Sequence, residues 1–99
     1  MIKNLNQLKQ ELKFLPQLEI VGHCRKECIG EIRQVTKVTT RSFTSRRIQP
    51  EGKNLTLWWR TASFWSFENG VCSTYDSSTA HTEEHLVTAF RVLNKKEAA

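Results

Sequence analysis

The sequence predicts an α+β fold, in which a small, strongly bent antiparallel sheet of five strands is flanked by an N-terminal and a C-terminal helix. Leucines at helical spacing open the chain, and β-branched and aromatic residues dominate residues 18–76. Residues 82–94 begin with acids and are followed by lysines, as is typical of a helix. With 99 residues and 38% apolar content, the chain can form one hydrophobic core, so we expect one domain over residues 1–99.

The first helix is predicted over residues 4–14. Four leucines recur at steps of three, four and three, which places them on one side of a helix: Leu5, Leu8, Leu12 and Leu15. Asn4 can cap the helix, with Gln7 three residues later in the position of a capping box. Pro16 ends the helix because it removes a backbone donor and disfavours helical angles at the residue before it.

The segment 18–76 is predicted to form the sheet. Residues 18–24 alternate and favour a strand, and residues 31–48 favour a second strand, because four threonines disfavour a helix there. The apolar residues of that second segment recur every third position, which indicates a bulge. Turn-forming residues from Gln49 to Asn54 predict a reversal, and the alternation from Leu55 to Arg60 predicts a further strand.

The dipeptide Asn69-Gly70 predicts a β-hairpin. Both residues tolerate the positive φ of a type I′ turn, and a two-residue loop fixes the register of the flanking strands. Trp65 then lies opposite Thr74, and Phe67 opposite Cys72, on the face that we expect to be buried.

The second helix is predicted over residues 82–94. Thr82 can cap it, Glu83 and Glu84 suit its positive end, and Lys95 and Lys96 suit its negative end. Its buried side consists of apolar residues at helical spacing: Leu86, Val87, Ala89, Phe90 and Leu93. The expected order is thus helix 4–14, β-barrel 18–76 and helix 82–94.

Several segments resemble SH3-like and KOW-type small barrels. These are Ile20-Val21 as first strand, Ile29-Gly30 as loop turn, Val35 to Val38 as second strand, and Leu57-Trp58-Trp59 before the hairpin. The resemblance implies that the five strands close into an SH3-like barrel. The run from His23 to Gly30, followed by Arg33 and Val35, is also similar to small uncharacterised proteins of bacterial mobile genetic elements, which implies a phage or mobile-element context.

Positive charge is concentrated between Arg25 and Arg60. This segment holds nine basic residues against three acids, so its excess of six exceeds the net charge of +5 of the whole chain. The basic residues are Arg25, Lys26, Arg33, Lys37, Arg41, Arg46, Arg47, Lys53 and Arg60. Such a localised field on a sheet favours a polyanionic partner, and the alternative is a solubilising surface.

The chain is predicted to bind nucleic acid without catalysis, and RNA or single-stranded DNA is favoured over a duplex. Strand-borne cations can contact phosphates and aromatic rings can stack on bases, whereas no predicted helix carries the basic cluster that reads a major groove. The alternation around Trp58 and Trp59 places one indole in the core and the other at the surface. The predicted binding residues are Arg33, Lys37, Arg41, Phe43, Arg46, Arg47, Trp58 and Arg60.

A second function class stays open. A small basic protein of a phage or mobile element can act as an inhibitor or adaptor that docks on an acidic protein or nucleoprotein surface, such as a CRISPR-type defence effector. The absence of measurable oligonucleotide binding at low salt would favour this anti-CRISPR-like alternative.

Metal binding and catalysis are less supported. Cys24 and Cys28, with His81 and His85, have spacings that suit a zinc site, but the gap between the two pairs is too long for a zinc finger. We therefore expect no cofactor and keep zinc as a hypothesis. His23 adjoins Cys24, but neighbours on a strand point to opposite faces, so no nucleophile–base pair is predicted and we expect no enzyme.

We expect a cytoplasmic protein without a membrane partner. The N-terminus lacks the apolar run of a signal peptide, and no stretch of about 18 apolar residues could span a membrane. Three cysteines, an odd number, fit reduced thiols better than a disulfide framework.

Overall fold

The computed structural model describes residues 1–49 and 51–93, which form one α-helix and seven strands. The helix α1 spans Leu5–Leu12, and three short 3-10 turns lie at Lys26–Cys28, Ala62–Phe64 and Glu83–His85. The strands are β1 Gln17–His23, β2 Ile32–Val38, β3 Ser42–Gln49, β4 Glu51–Trp58, β5 Trp65–Glu68, β6 Val71–Tyr75 and β7 Leu86–Leu93.

All seven strands belong to one open antiparallel sheet with the order β4-β3-β2-β1-β7-β6-β5. Two meanders, β1 to β4 and β5 to β7, join where β1 pairs with β7. The edge strands β4 and β5 follow each other in sequence, although a flat sheet would hold them about 29 Å apart. The connection from Trp58 to Trp65 reaches at most about 25 Å when fully extended, so the sheet must curl.

The inner side of the curled sheet holds the core. Leu5, Leu8 and Leu12 of α1 are buried there with the apolar residues of the strands. Trp59, in the connection between the two edge strands, lies 4.9 Å from Phe43 and 6.1 Å from Trp65 between ring centroids. The short connection thus places an indole at the centre of the core.

The first helix is confirmed, with slightly shorter bounds than predicted. The Gln7 N–H donates to Asn4 Oδ1 (2.9 Å), and the Lys3 N–H donates to Gln7 Oε1 (2.7 Å), so cap and reciprocal cap both form. The chain then turns at Leu15, whose φ of 53° is incompatible with helix continuation, directly before Pro16.

The predicted hairpin is also confirmed. Asn69 and Gly70 have φ of 53° and 78°, as a type I′ turn requires. Trp65 pairs with Thr74 and Phe67 with Cys72, in the predicted register. Trp65, Cys72 and Thr74 are buried, so this face is the core side.

The prediction of a C-terminal helix over 82–94 was wrong. Only Glu83–His85 make a 3-10 turn, and Leu86–Leu93 form β7 in the middle of the sheet, while residue 94 lies outside the described residues. Thr88, Phe90 and Val92 alternate inward, and strands on both sides satisfy the backbone of β7. This pairing outweighs the helical charge pattern because a central strand is hydrogen-bonded along both edges.

The prediction of five strands in an SH3-like barrel was also wrong. Residues 31–48 contain two strands rather than one, because the chain reverses at Thr39–Arg41, where the sequence shows no glycine, proline or asparagine. The predicted bulge is present as a register shift between Val35 and Lys37. The predicted turn Gln49–Asn54 is shorter than expected, since β4 already begins at Glu51; Pro50 lies outside the described residues.

Candidate nucleic-acid interface

A buried ionic cluster connects β2 and β3 on the inner side of the sheet. Glu31 and Arg33 are only 6% and 5% exposed. Arg33 Nη1 donates to Glu31 Oε1 (3.1 Å), and Arg47 Nη1 donates to the other oxygen, Oε2 (3.0 Å). One carboxylate thus neutralises two guanidinium groups.

Arg33 is further held by neutral partners. Its Nε donates to Ser45 Oγ (2.8 Å), and Nη2 donates to the carbonyl oxygens of Ser45 (3.0 Å) and Lys53 (2.9 Å). The side chain therefore ties β2 to β3 and β4. It is a structural group and is not accessible to a phosphate.

The carboxylate of Glu31 is kept ionised by its partners. Burial alone would raise its pKa, but the hydrogen bonds from Arg47 and Arg33 outweigh it and hold the pKa below the ordinary value of 4.5. Glu31 precedes Arg33 by two residues, as groups on one face of extended chain do. This spacing is the signal in the sequence that could have marked Arg33 as buried.

Two predicted binding residues are therefore placed in the interior, and a third is partly covered. Arg33 lies in the ionic cluster, and Phe43 is 0% exposed between Trp59 and Phe90, so it cannot stack on a base. Arg47 is half-buried and paired with Glu31. Arg47 also lies over Gly52, where a Cβ would collide with its guanidinium group.

Of the remaining predicted residues, Lys37, Arg46 and Trp58 lie on the outer face of β2–β4. We define this face by Lys37, Thr44, Thr56, Arg46, Asn54 and Trp58. Lys37 lies opposite Thr44, which lies opposite Thr56. The two threonine hydroxyls are 3.0 Å apart. Arg46 pairs with Asn54 toward one end of this face, and Trp58 pairs with Ser42 at the other.

Trp58 is 58% exposed, whereas Trp59 is 2% exposed. This division between surface and core was predicted from the alternation. The Trp59 N–H donates to the Arg41 carbonyl (2.9 Å), its Nε1 to the Thr39 carbonyl (3.0 Å), and Trp65 Nε1 donates to the Trp59 carbonyl (2.6 Å). The buried neighbour thus fixes the backbone from which the Trp58 ring projects.

Two further cations lie beside this end of the face. Arg41 is exposed in the turn between β2 and β3, and its carbonyl contacts the residue after Trp58. Arg60 is exposed, has a φ of 53°, and holds its guanidinium carbon 5.0 Å from the centre of the Phe64 ring. Within residues 1–49 and 51–93, Lys37, Arg41, Arg46 and Arg60 form no ion pair.

The predicted zinc ligands are not assembled. His81 stacks on Tyr75 (4.4 Å between centroids) and His85 Nδ1 lies 2.8 Å from Asp76 Oδ1. Cys24 is exposed and Cys28 is partly buried. Among the residues that the structure describes, no group of three His, Cys, Asp or Glu side chains could hold a metal ion.

His23 and Cys24 are closer than sequence adjacency on a strand predicts. β1 ends at His23, so the chain bends and Cys24 Sγ lies 3.6 Å from His23 Nδ1, which accepts the Arg25 N–H (2.9 Å). Desolvation lowers the pKa of His23, and burial raises that of Cys28. In the described residues, no polar side chain within hydrogen-bonding distance orients this imidazole as a catalytic base would require.

No protein-family model, curated protein or solved structure matches the chain. The chemistry of the site therefore follows from its own residues. Within the described parts of the chain, no helix has the length and apolar character needed to cross a membrane.

Proposed function

We propose that the protein binds single-stranded RNA or DNA through the outer face of β2–β4, without catalysis. The observation that carries this proposal is the exposed indole of Trp58 on the outer face of β2–β4. The charged residues of this face, Lys37 and Arg46, are both cations. Single strands are bound by such a combination, because cations attract the phosphates and a flat ring stacks on a base.

The distribution of acids supports the same side of the sheet. On the outer face of the other half, Glu19 lies opposite Arg91 and Glu68 lies at the end of β5, so positive and negative charges alternate there. On β2–β4 the nearest acid in the register is Glu51, at the far end of β4 from Trp58. A polyanion would therefore be attracted more strongly to the outer face of β2–β4 than to the other half of the sheet.

Arg41 and Arg60 extend the cationic surface around Trp58. Arg60 combines a left-handed backbone with a guanidinium group over a partly buried ring. A bulky residue in that conformation is strained, and such strain is common at binding sites. Arginine over an aromatic ring also presents a flat cationic surface to a base.

Fluorescence anisotropy with labelled single-stranded oligonucleotides tests the proposal. With three or four phosphates contacted, log affinity should fall with log salt at a slope of about −2 to −3. Trp58→Ala should weaken binding by about 1–3 kcal/mol, whereas Trp58→Phe should retain part of the stacking. Arg46→Ala should reduce the salt slope by about 0.7.

Arg91→Ala is the matched control, because Arg91 is an exposed cation on the outer face of the same sheet but lies opposite Glu19. It should leave affinity and slope unchanged. Equal losses for Arg91→Ala and Arg46→Ala would indicate nonspecific attraction to a basic protein and would contradict the site.

The inhibitor or adaptor function is the second candidate, and one observation favours it. Tryptophan and arginine are among the residues that contribute most to protein interfaces, and Trp58 is exposed next to the backbone segments that carry Arg41 and Arg60. If no oligonucleotide binds at low salt, the same face is better explained as a docking site for an acidic protein or nucleoprotein surface.

A further inference from the structure

The edge strand β4 has a row of backbone groups that the described structure leaves unpaired. β4 pairs with β3 on one side and is the outermost strand of the sheet. The Trp59 N–H bonds to the Arg41 carbonyl, so hydrogen-bonded pairing with β3 falls on odd-numbered residues of this segment. Because the two kinds of pair alternate, the N–H and C=O groups of Asn54, Thr56 and Trp58 point away from the sheet.

Natural edge strands are usually protected against pairing, and this half of β4 lacks the common protections. It carries no proline and no charge from Asn54 to Trp58, and it belongs to an eight-residue strand. The other edge, β5, has only four residues and ends in Glu68. Of the two edges, β4 is therefore the one suited to accept another strand.

The sequence of this half indicates which strand would fit. Residues 54–58 read Asn-Leu-Thr-Leu-Trp, so leucine flanks Thr56 on both sides. In an antiparallel pair with a second copy centred on Thr56, Thr56 meets Thr56, Leu55 meets Leu57, and Asn54 meets Trp58. The unpaired backbone groups then meet in the hydrogen-bonded register, and no charge faces a like charge.

We infer that β4 is a self-association edge, through which two copies of this chain pair antiparallel about Thr56. Leu55 and Leu57 would add to the apolar inner side, and Thr56 and Trp58 would lie on the outer side of a continuous sheet. The two outer faces of β2–β4 would become one surface with twice the cations. The inference does not depend on nucleic-acid binding, since it rests on the backbone and on uncharged residues.

A single strand edge buries little area, so the dimer should be weak and depend on concentration. Sedimentation equilibrium of the full chain without nucleic acid should show the mass rising from 11.5 kDa toward about twice that value as concentration increases. Thr56→Pro should remain monomeric over the same range, because it removes the outward N–H. Thr56→Ala keeps the N–H and should associate as the wild type does.

A wild type that stays monomeric at all concentrations would overturn the inference, as would a folded Thr56→Pro variant that dimerises normally. If Thr56→Pro loses its fold by circular dichroism, Thr56→Cys in a Cys24→Ser, Cys28→Ser background replaces it. In the proposed dimer the Cα atoms of the two copies of residue 56 would lie about 5.5 Å apart, a separation that allows the thiols of Thr56→Cys to form a disulfide on mild oxidation. Failure to crosslink at concentrations where the mass indicates dimer would exclude this register.

Thr44→Cys in the same background is the control for the crosslink. Thr44 lies on β3, one strand further from the dyad, so its thiols would be far beyond disulfide distance. Equal crosslinking of both variants would indicate random collision. Oligonucleotide binding by a strictly monomeric wild type would leave the proposed function intact while removing the dimer.

Discussion

Single residues on the inner side of the sheet determine what the basic segment can bind. Glu31 removes Arg33 and half-buried Arg47 from the predicted interface by pairing with both. The charge excess between Arg25 and Arg60 therefore overstates the charge that a partner meets. What remains exposed around Trp58 is a smaller set of cations held on the turn, the outer face and the segment after β4.

Glu31 should also make stability depend on pH. Its pKa is lower in the folded protein than the ordinary value of 4.5, so the unfolded chain takes up the proton first. Its contribution is complete above this value and is lost as pH falls through the folded pKa. Urea unfolding from pH 7 to pH 3 should show this loss for the wild type and a smaller one for Glu31→Gln.

Glu31→Ala should cost about 3 kcal/mol at pH 7, because Arg33 then stays buried without its counter-charge. Glu68→Gln, at an exposed carboxylate, serves as control and should behave as the wild type. A pH profile that is identical in Glu31→Gln and wild type would show that another group causes the loss.

Thr88 offers a stabilising substitution. It is 0% exposed on β7, and its hydroxyl has no hydrogen-bond partner in the described structure. Thr88→Val replaces the hydroxyl by a methyl group of similar shape and should raise the free energy of unfolding by about 1 kcal/mol. Thr88→Ala, which also leaves a void, should lower the free energy of unfolding. If Thr88→Val is less stable than the wild type, the Thr88 hydroxyl does form a hydrogen bond in solution.

Among the helices, turns and strands, some form because of nearby residues and others because of the strands they pair with. The cap of α1 and the turn between β5 and β6 each depend on residues within a few positions, and both match the prediction. β7 differs, because the acids before it and the lysines after it in sequence suit a helix, while its neighbours in space are the strands β1 and β6. Element type there follows from partners that are distant in sequence.

Substitution of Gly70 in the β5–β6 turn should lower the stability of the fold. A Cβ at this position would lie 3.6 Å from Met1 Cγ, an ordinary contact, so the cost of Gly70→Ala comes from its φ of 78°. We expect a loss of about 1–2 kcal/mol in urea unfolding. Asn69→Gly, which relieves the positive φ of residue 69 itself, should change stability by less; equal losses would contradict a backbone origin.

At the scale of the molecule, β1 and β7 join two meanders into one sheet. The segment 18–76, which the sequence suggested as a complete barrel, lacks β7 and leaves β1 and β6 without a shared neighbour. Without β7, the core under Trp59 and α1 also lacks Phe90, which is 0% exposed in the full chain. Neither meander is therefore expected to be stable by itself.

A chain ending at Asp76 should accordingly fail to fold. Its circular dichroism should lack a cooperative thermal transition, because β7, the interior strand that joins β1 to β6, is absent. Phe90→Ala in the full chain should retain the fold but lose about 3–5 kcal/mol. Cooperative unfolding of the truncated chain would show that the first meander folds independently.

Features that depend on neighbours along the chain could be predicted from the sequence. The cap and leucine stripe of α1, the register across Asn69-Gly70, and the opposite orientations of Trp58 and Trp59 follow from helical spacing, positive φ and strand alternation. Three features became visible only in the folded chain: Leu86–Leu93 is a strand, Arg33 and Phe43 are buried, and β4 is an edge. Each of these depends on which distant strand supplies hydrogen bonds or a counter-charge, and local spacing carries no information about that partner.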